Sequence, residues 1–226
     1  MVRLAQRETS PADPRQRTVG QLVADTVRFY GNRFWPSLAL GLGPAALTVA
    51  GAQAPRGAQV AIVGIGFPLL MTLSFIQASF LVSGLPFQPA SARVALAVGL
   101  LVSLPVPFLA ALLVLPAVLW LAAIGLAVPA AVIEGAGVRD SLRRGFQLGR
   151  ADYVHAAGAL ALLVVLVALT QLLLFQLLTG LSDQALIVAA FLANLVVSPL
   201  LFLGGVHLYY DQAARERRPQ RGQVLH

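Results

Sequence analysis

The sequence has no cysteine and no lysine among its 226 residues, and these two absences limit the kinds of functional site that it can form. Without cysteine, disulfides, thiolate catalysis and cysteine-ligated metals are excluded. All sixteen basic residues are therefore arginine, a composition typical of a GC-rich genome rather than of a particular function.

Charge is scarce as well, since 11% of the residues are charged and 58% are hydrophobic. A soluble domain carries roughly a quarter charged residues, so the composition indicates a membrane protein. The net charge of +7 does not indicate nucleic acid as a partner, because the arginines lie at the ends of apolar segments and not on one interleaved basic face. The first apolar segment starts near Pro36 behind a long polar leader, so we expect a retained span and not a cleaved signal.

The motifs of common catalytic chemistry are also missing. The sequence contains no Walker loop, no GxSxG, no HExxH and no paired carboxylates at catalytic spacing. We therefore predict a protein that is not an enzyme and that needs no cofactor and no metal. His155 and His207 lack a nearby acidic or cysteine cluster and are interpreted as interfacial or packing residues. An intramembrane enzyme would require Glu134 and one of these histidines to converge.

The distribution of arginine predicts the topology. Fifteen arginines fall in segments that an alternating count of apolar blocks places on one side of a membrane, and only Arg56 falls on the other. Cytoplasmic loops carry such an excess of basic residues. The prediction is an all-α, six-span transmembrane helix bundle in a bacterial-type plasma (inner) membrane, with both termini cytoplasmic.

The boundary between the third and fourth spans lies within residues 94–133, forty residues that carry no charge. One helix of that length would measure about 60 Å, twice the hydrocarbon core, so two spans are predicted there. The turn is placed at 113–116, with Pro116 as the first residue of the fourth span. The six predicted spans are 35–54, 60–85, 94 to about 113, 116–133, 153–179 and 185–210.

A first amphipathic helix is predicted at residues 18–34, on the cytoplasmic face. Thr18 and Gln21 have the spacing of a capping box, in which each side chain satisfies a backbone donor at a helix start. Residues 1–17 are polar and are interpreted as a disordered cytoplasmic tail. The membrane domain is then predicted to cover 18–211.

A second amphipathic helix is predicted at residues 136–150, where Asp140 and Arg144 have the spacing of an ion pair on one face. Residues 212–226 are interpreted as a basic cytoplasmic tail. Gly145 and Gly149 form a GxxxG spacing, but within an interfacial helix this spacing is a poor indicator of dimerisation.

Three stretches together resemble a bacterial group, the membrane proteins similar to the membrane domain of glycerophosphoryl diester phosphodiesterases. They are the leader helix TVGQLVADTVRFYGNRFWPSL, the segment LPAVLWLAAIGLAVPAAVIEGAGVRDSLRRGFQLGR and the terminal LYYDQAARERR. The resemblance implies a six-helix domain of unknown activity, which some relatives fuse to a soluble phosphodiesterase. The sequence has no room for that catalytic domain, so the phosphodiesterase activity is not carried over.

Anionic lipid headgroups on the cytoplasmic side are the predicted partners, and a membrane protein is a further candidate partner. The predicted headgroup contacts are Arg28, Arg33, Arg139, Arg143, Arg144 and Arg150. Glu134 is interpreted mainly as an interfacial carboxylate that pairs with Arg139 or Arg143, and alternatively as a proton or cation site.

Several polar residues fall inside the predicted spans and are expected to face the bundle interior, because polar groups in lipid need partners. They either bond between helices or line a substrate path. The predicted face consists of Thr72, Gln77, Ser79, Gln171, Asn194 and Ser198. The first hypothesis is thus a non-enzymatic membrane module that binds lipid or a partner, and the alternative is a small transporter or lipid-translocating protein.

Overall fold

The computed structural model describes residues 18–222, except 179 and 181, and this part of the chain is built of helices without a strand. Six helical segments are long and apolar enough to cross a membrane, which confirms the all-α bundle and the six predicted spans. Spans 1 to 6 are Phe34–Gln53, Arg56–Ser83, Pro89–Leu112, Val114–Ile133, Tyr153–Leu174 and Gln184–Arg217.

The helices that build these spans are numbered in chain order. Short 3-10 and π turns at 39–41 and 62–66 interrupt the first two spans. The helices are α1 (Val19–Asn32), α2 (Phe34–Leu38), α3 (Leu42–Gln53), α4 (Arg56–Ala61), α5 (Phe67–Ser83), α6 (Pro89–Ser103), α7 (Val106–Leu112), α8 (Val114–Ile124), α9 (Ala127–Ile133), α10 (Val138–Ala151), α11 (Tyr153–Leu177), α12 (Asp183–Val197) and α13 (Pro199–Gly222).

The two ends of the bundle differ in the length of their connections. At one end, which we call the short-loop end, spans are joined by residues 54–55, by Leu113 and by residues 178–182. The other end carries α1, α10 and the C-terminal half of α13, and both α1 and α10 pack on α13. We call it the arginine-rich end, since Arg56 is the only arginine of the described residues that lies at the short-loop end.

The predicted turn between the third and fourth spans is confirmed. Leu113 has extended backbone angles (φ −163°, ψ 147°) between α7 and α8, so it separates the two helices. Pro116 is the third residue of α8 and not its first. The third span begins at Pro89 rather than at residue 94, because Pro89 occupies the first helical position, where its missing N–H costs no hydrogen bond.

The leader helix α1 forms as predicted. The Thr18 side chain accepts from the Gln21 backbone N–H, and the Gln21 side chain accepts from the Thr18 backbone N–H. Leu22 and Thr26 are buried, and Leu22 packs in a core cluster with Leu208. The helix therefore lies against the bundle with one polar side exposed.

The glycines of α10 contact the fourth span directly. A Cβ atom at Gly145 would lie 2.5 Å from the backbone nitrogen of Ala127, and one at Gly149 would lie 2.5 Å from the carbonyl oxygen of Ala123. The GxxxG spacing thus has a packing role within the chain, because only glycine lets the two backbones come this close. Leu148, on the same face, is fully buried.

Helix α13 corrects the predicted C-terminal boundary. It runs without interruption from Pro199 to Gly222, so residues 212–222 continue the last span and do not form a separate tail. Gln212 is fully buried and Ala213 is 7% exposed, because this turn of α13 packs against the cluster that contains Leu148. Residues 1–17 and 223–226, the subject of the two tail predictions, lie outside the described residues.

Candidate functional site: the arginine-rich end

A first charged cluster joins α10, α13 and the end of α9 through Arg144. Its Nε donates to Glu134 Oε1 at 2.9 Å and its Nη1 donates to Glu216 Oε2. Tyr209 Oη donates to the same Glu134 oxygen at 2.7 Å. The predicted partners of Glu134 were wrong, because α10 places Arg144, rather than Arg139 or Arg143, against this carboxylate.

The environment of Arg144 keeps it charged. Burial alone would lower its pKa, but the hydrogen bonds and negative charges of Glu134 and Glu216 raise the pKa above its ordinary value. The Arg144 side chain is 22% exposed. Both of its described ion-pair partners are these glutamates and not Asp140, so Arg144 joins α10 to the end of α9 and to α13, and its headgroup contact stays a prediction.

A second charged cluster surrounds Arg215 on α13. Its Nε donates to Asp211 Oδ2 and its Nη1 donates to Asp152 Oδ2, both at 2.8 Å. His155 Nε2 lies 3.2 Å from Asp211 Oδ2 and 3.2 Å from Arg215 Nη2, so it donates to the carboxylate in one tautomer and accepts from the guanidinium in the other. This cluster joins the start of α11 to α13.

The Asp211 side chain is completely buried, and its second oxygen, Oδ1, has no hydrogen-bond partner within the described residues. The Oε1 atom of the neighbouring Gln212 is buried and unpaired in the same sense, while its Nε2 donates to the Asp152 carbonyl oxygen. A buried carboxylate is tolerated only where charges and hydrogen bonds compensate it. Asp211 therefore depends on Arg215.

The histidines pack as predicted, each against a different helix. His155 belongs to the Arg215 cluster, and His207 Nδ1 shares a hydrogen bond with Thr26 Oγ1 at 3.2 Å. The Phe29 ring meets the His207 ring edge-on, with centroids 5.3 Å apart. Among the described residues, no group of three or more histidine, aspartate or glutamate side chains could hold a metal ion. Among the described residues, Glu134 forms hydrogen bonds with Arg144 and Tyr209 and not with a histidine.

Three of the predicted headgroup arginines form a stripe on α10. Arg139, Arg143 and Arg150 are exposed at spacings of four and seven residues, together with Phe146. This stripe lies roughly opposite the buried face, because the helical period places residues 139, 143, 146 and 150 on one side. The Arg150 guanidinium lies over the Phe146 ring, 5.3 Å from its centroid.

The other two predicted arginines lie at α1. The Arg28 side chain is 73% exposed and forms a surface ion pair with Asp25 at 3.2 Å. Arg33 is exposed, with its guanidinium 5.7 Å from the Phe29 ring centroid. Trp35 follows directly and is 77% exposed. Cationic and aromatic side chains thus stand side by side at this edge, the combination typical of a membrane interface.

The predicted polar face divides into separate contacts. Thr72 and Ser103 share a hydrogen bond between spans 2 and 3, and Ser79 donates to the carbonyl oxygen of its own helix. Gln77 is exposed on the outer surface of α5, so the prediction that it faces the interior was wrong. Its neighbours Ala78 and Ser79 occupy the buried side of that helix.

A second group of polar contacts joins spans 1, 5 and 6. Asn194 Nδ2 donates to Thr48 Oγ1 at 3.0 Å, and Gln171 Nε2 donates to Asn194 Oδ1 at 2.8 Å. Ser198 donates to the Asn194 carbonyl oxygen. These groups satisfy one another, and they are separate from the Thr72 contact. The arrangement supports interhelical bonding more than a continuous path.

Substituting Asn194 with alanine is expected to cost only about 1 kcal/mol in the free energy of unfolding, because two interhelical bonds of about 0.6 kcal/mol each are lost. A denaturant titration in detergent micelles measures this. A loss several times larger would show that the Asn194 amide contributes more to folding than two ordinary interhelical hydrogen bonds.

The remaining functional residues, Asp152, Asp211, Arg215 and Glu216, were not among the predicted site residues. One signal was present in the sequence, since Asp211 and Arg215 have the four-residue spacing of a helical ion pair.

Compared with models of known protein families, with curated proteins and with solved structures, the chain shows no match.

Proposed function

We propose that this protein is a non-enzymatic membrane module that binds anionic lipid headgroups at its arginine-rich end. The observation that carries the proposal is the exposed set of five arginines, three on α10 and two at α1, beside exposed aromatic rings. By the positive-inside rule, this end belongs on the cytoplasmic side of a bacterial-type plasma membrane, where anionic lipids are abundant.

The charges at this end fall into two classes. Glu134 and Glu216 pair with Arg144, and Asp152 and Asp211 pair with Arg215, between helices. Among the described residues, Arg28 of the outer five pairs with Asp25, whereas the other four form no ion pair and are available to phosphate. Near an anionic surface each basic residue contributes on the order of 1 kcal/mol, so the five act as a set and no single one is decisive.

The same pairing supports a role without catalysis. A general acid or base needs a carboxylate or histidine that can reach a substrate. Glu134 bonds with Arg144 and Tyr209, and His155 lies against Asp211 and Arg215. These titratable groups form contacts between helices, which is a structural role and not a catalytic one.

Replacing Arg139, Arg143 and Arg150 with glutamine is expected to reduce the binding of phosphatidylglycerol. The protein is reconstituted in nanodiscs of phosphatidylcholine with a minority of phosphatidylglycerol, and native mass spectrometry counts the lipids that remain bound. We expect the wild-type chain to retain phosphatidylglycerol preferentially and the triple variant to lose about 3 kcal/mol of this preference. The preference should also weaken at high salt, which screens exposed charges.

The single variants Arg143→Gln and Arg56→Gln control for the loss of charge as such, because Arg56 lies at the short-loop end. Each removes one positive charge from the chain, but only Arg143 belongs to the stripe. If the triple variant and both single variants retain as much phosphatidylglycerol as the wild type, the arginines act only as determinants of topology and the proposal fails. A co-purifying protein lost from the triple variant would instead point to a protein partner.

Transport is the weaker candidate. Its best support is a small cavity of about 200 Å³ lined in part by Gln171 and Asn194. These two amides bond with each other, and the cavity is separate from the Thr72–Ser103 contact. A flux assay in proteoliposomes with an identified solute would bring this candidate forward.

A further inference from the structure

A cavity of about 230 Å³ lies among five of the six spans. Its walls come from span 2 (Phe67 to Phe75), span 3, span 4 (Val114 to Leu126), span 5 and span 6. The lining is formed by aliphatic and aromatic side chains and by glycine and alanine, and Ser103 is its one hydroxyl. The Ser103 hydroxyl already shares a hydrogen bond with Thr72.

The break between α6 and α7 helps to form this space. Residues 104–105 interrupt the third span, and Pro105 and Pro107 follow Ser103 closely. Proline cannot donate the backbone hydrogen bonds of a continuous helix, so the span bends here. Small residues on the opposite walls, such as Ala117 and Gly205, add no bulk to fill the gap.

The residues that line the cavity follow span 4 along much of one leaflet. Val114 and Leu126 are the first and last lining residues of span 4 and are twelve residues apart, which is about 18 Å of helix. Half of a typical hydrocarbon core is about 15 Å. An extended chain can contact lining residues along this distance, whereas a compact ligand would contact only part of them.

The open part of the cavity faces hydrocarbon rather than water. Ala110 and Val114 are its exposed lining residues, and they flank the turn at Leu113. The side chains of this turn are apolar and exposed, with Leu112 at 77% and Leu113 at 68%. Helix α11 continues for thirteen residues beyond the lining residue Val164, about 20 Å further. The turn at Leu113 is therefore flanked by the apolar helix α11.

We propose that this cavity holds one acyl chain of a membrane phospholipid. The walls offer dispersion contacts along a narrow slot, and the medium outside its mouth supplies acyl chains at high concentration. Apolar cavities of about 150 Å³ exclude water and take up apolar ligands, and this one is larger. The site is distinct from the arginine surface, so each can be tested without the other.

The test uses phosphatidylcholine with a photoactivatable diazirine at the end of one acyl chain, in nanodiscs that contain the whole protein. This lipid has no net charge, so its labelling does not depend on the arginines. After illumination, mass spectrometry maps the labelled residues. We expect label on lining residues that the bundle buries, such as Val118 and Phe202, each 5% exposed. Label confined to outer residues such as Leu115 would overturn the proposal.

Ala117→Phe places a ring in the slot and is expected to abolish labelling of Val118 and Phe202 while labelling of the outer residues continues. Leu115→Phe is the matched control, because it adds a ring to the exposed side of the same helix. Val164→Phe fills the slot from span 5 and serves if the first variant does not fold, as judged by gel filtration and circular dichroism. Persistent labelling of the buried residues in folded filled variants would also contradict the proposal.

Discussion

Replacing Arg215 with glutamine is expected to lower the free energy of unfolding by about 3 kcal/mol or more, measured by denaturant titration in detergent micelles. Arg215 is 15% exposed and bonds with Asp211, whose side chain is completely buried. Glutamine removes the positive charge but leaves the carboxylate in place. An uncompensated buried charge is among the costliest single defects in a folded protein.

Two features of the cluster make this effect large. Asp211 Oδ1 has no hydrogen-bond partner in the part of the chain that the structure describes, so Oδ2 carries the contacts with Arg215 and His155. The same guanidinium also reaches Asp152 at the start of α11. Its loss therefore weakens the junction of two helices as well as one ion pair.

Arg217→Gln is the control for this experiment, because Arg217 lies on the same helix and is exposed. Surface substitutions of this kind usually change stability by less than about 0.5 kcal/mol. Equal losses in the two variants would mean that general charge, and not the buried cluster, sets stability. The importance assigned to Arg215 would then be wrong.

The double variant Gly145→Ala, Gly149→Ala is expected to destabilise the protein by about 2 kcal/mol or more, because it overpacks the contact between α10 and span 4. The new methyl groups would lie 2.5 Å from backbone atoms of Ala127 and Ala123, which cannot rotate away as a side chain can. Alanine favours a helix over glycine by about 1 kcal/mol per site, so any net loss understates the steric cost. Thermal unfolding followed by circular dichroism measures it.

Gly158→Ala separates the two contributions. A Cβ at Gly158 would meet only the Val19 side chain, at an ordinary 3.9 Å. This variant keeps the helical preference of alanine without the clash, so its stability should be unchanged or slightly higher. If the double variant behaves like Gly158→Ala, the close approach of α10 to span 4 does not occur.

The spans and the two amphipathic helices could be predicted from the sequence because their signals are local. Hydropathy, the capping residues Thr18 and Gln21, and the length of the uncharged stretch each report on the immediate surroundings of the chain. The turn at Leu113 followed from length alone, since forty residues cannot form one span.

The partners of the charged residues could not be predicted, because they depend on how distant helices pack. Arg144 and Glu216 are separated by 72 residues and meet only because the C-terminal half of α13 packs along α10. The basic composition after Asp211 favoured a tail, but Gln212 and Ala213 lie on a face of α13 that is covered by other helices. Composition does not reveal such a face.

The contact between arginine and phosphate can be measured directly by solid-state NMR. Dipolar dephasing between guanidinium ¹³C and headgroup ³¹P is recorded for arginine-labelled protein in bilayers that contain phosphatidylglycerol. We predict strong dephasing in the wild type and in Arg56→Gln, and a marked loss of it when Arg139, Arg143 and Arg150 are replaced with glutamine. Equal dephasing in the wild type and the triple variant would contradict headgroup binding by the α10 stripe.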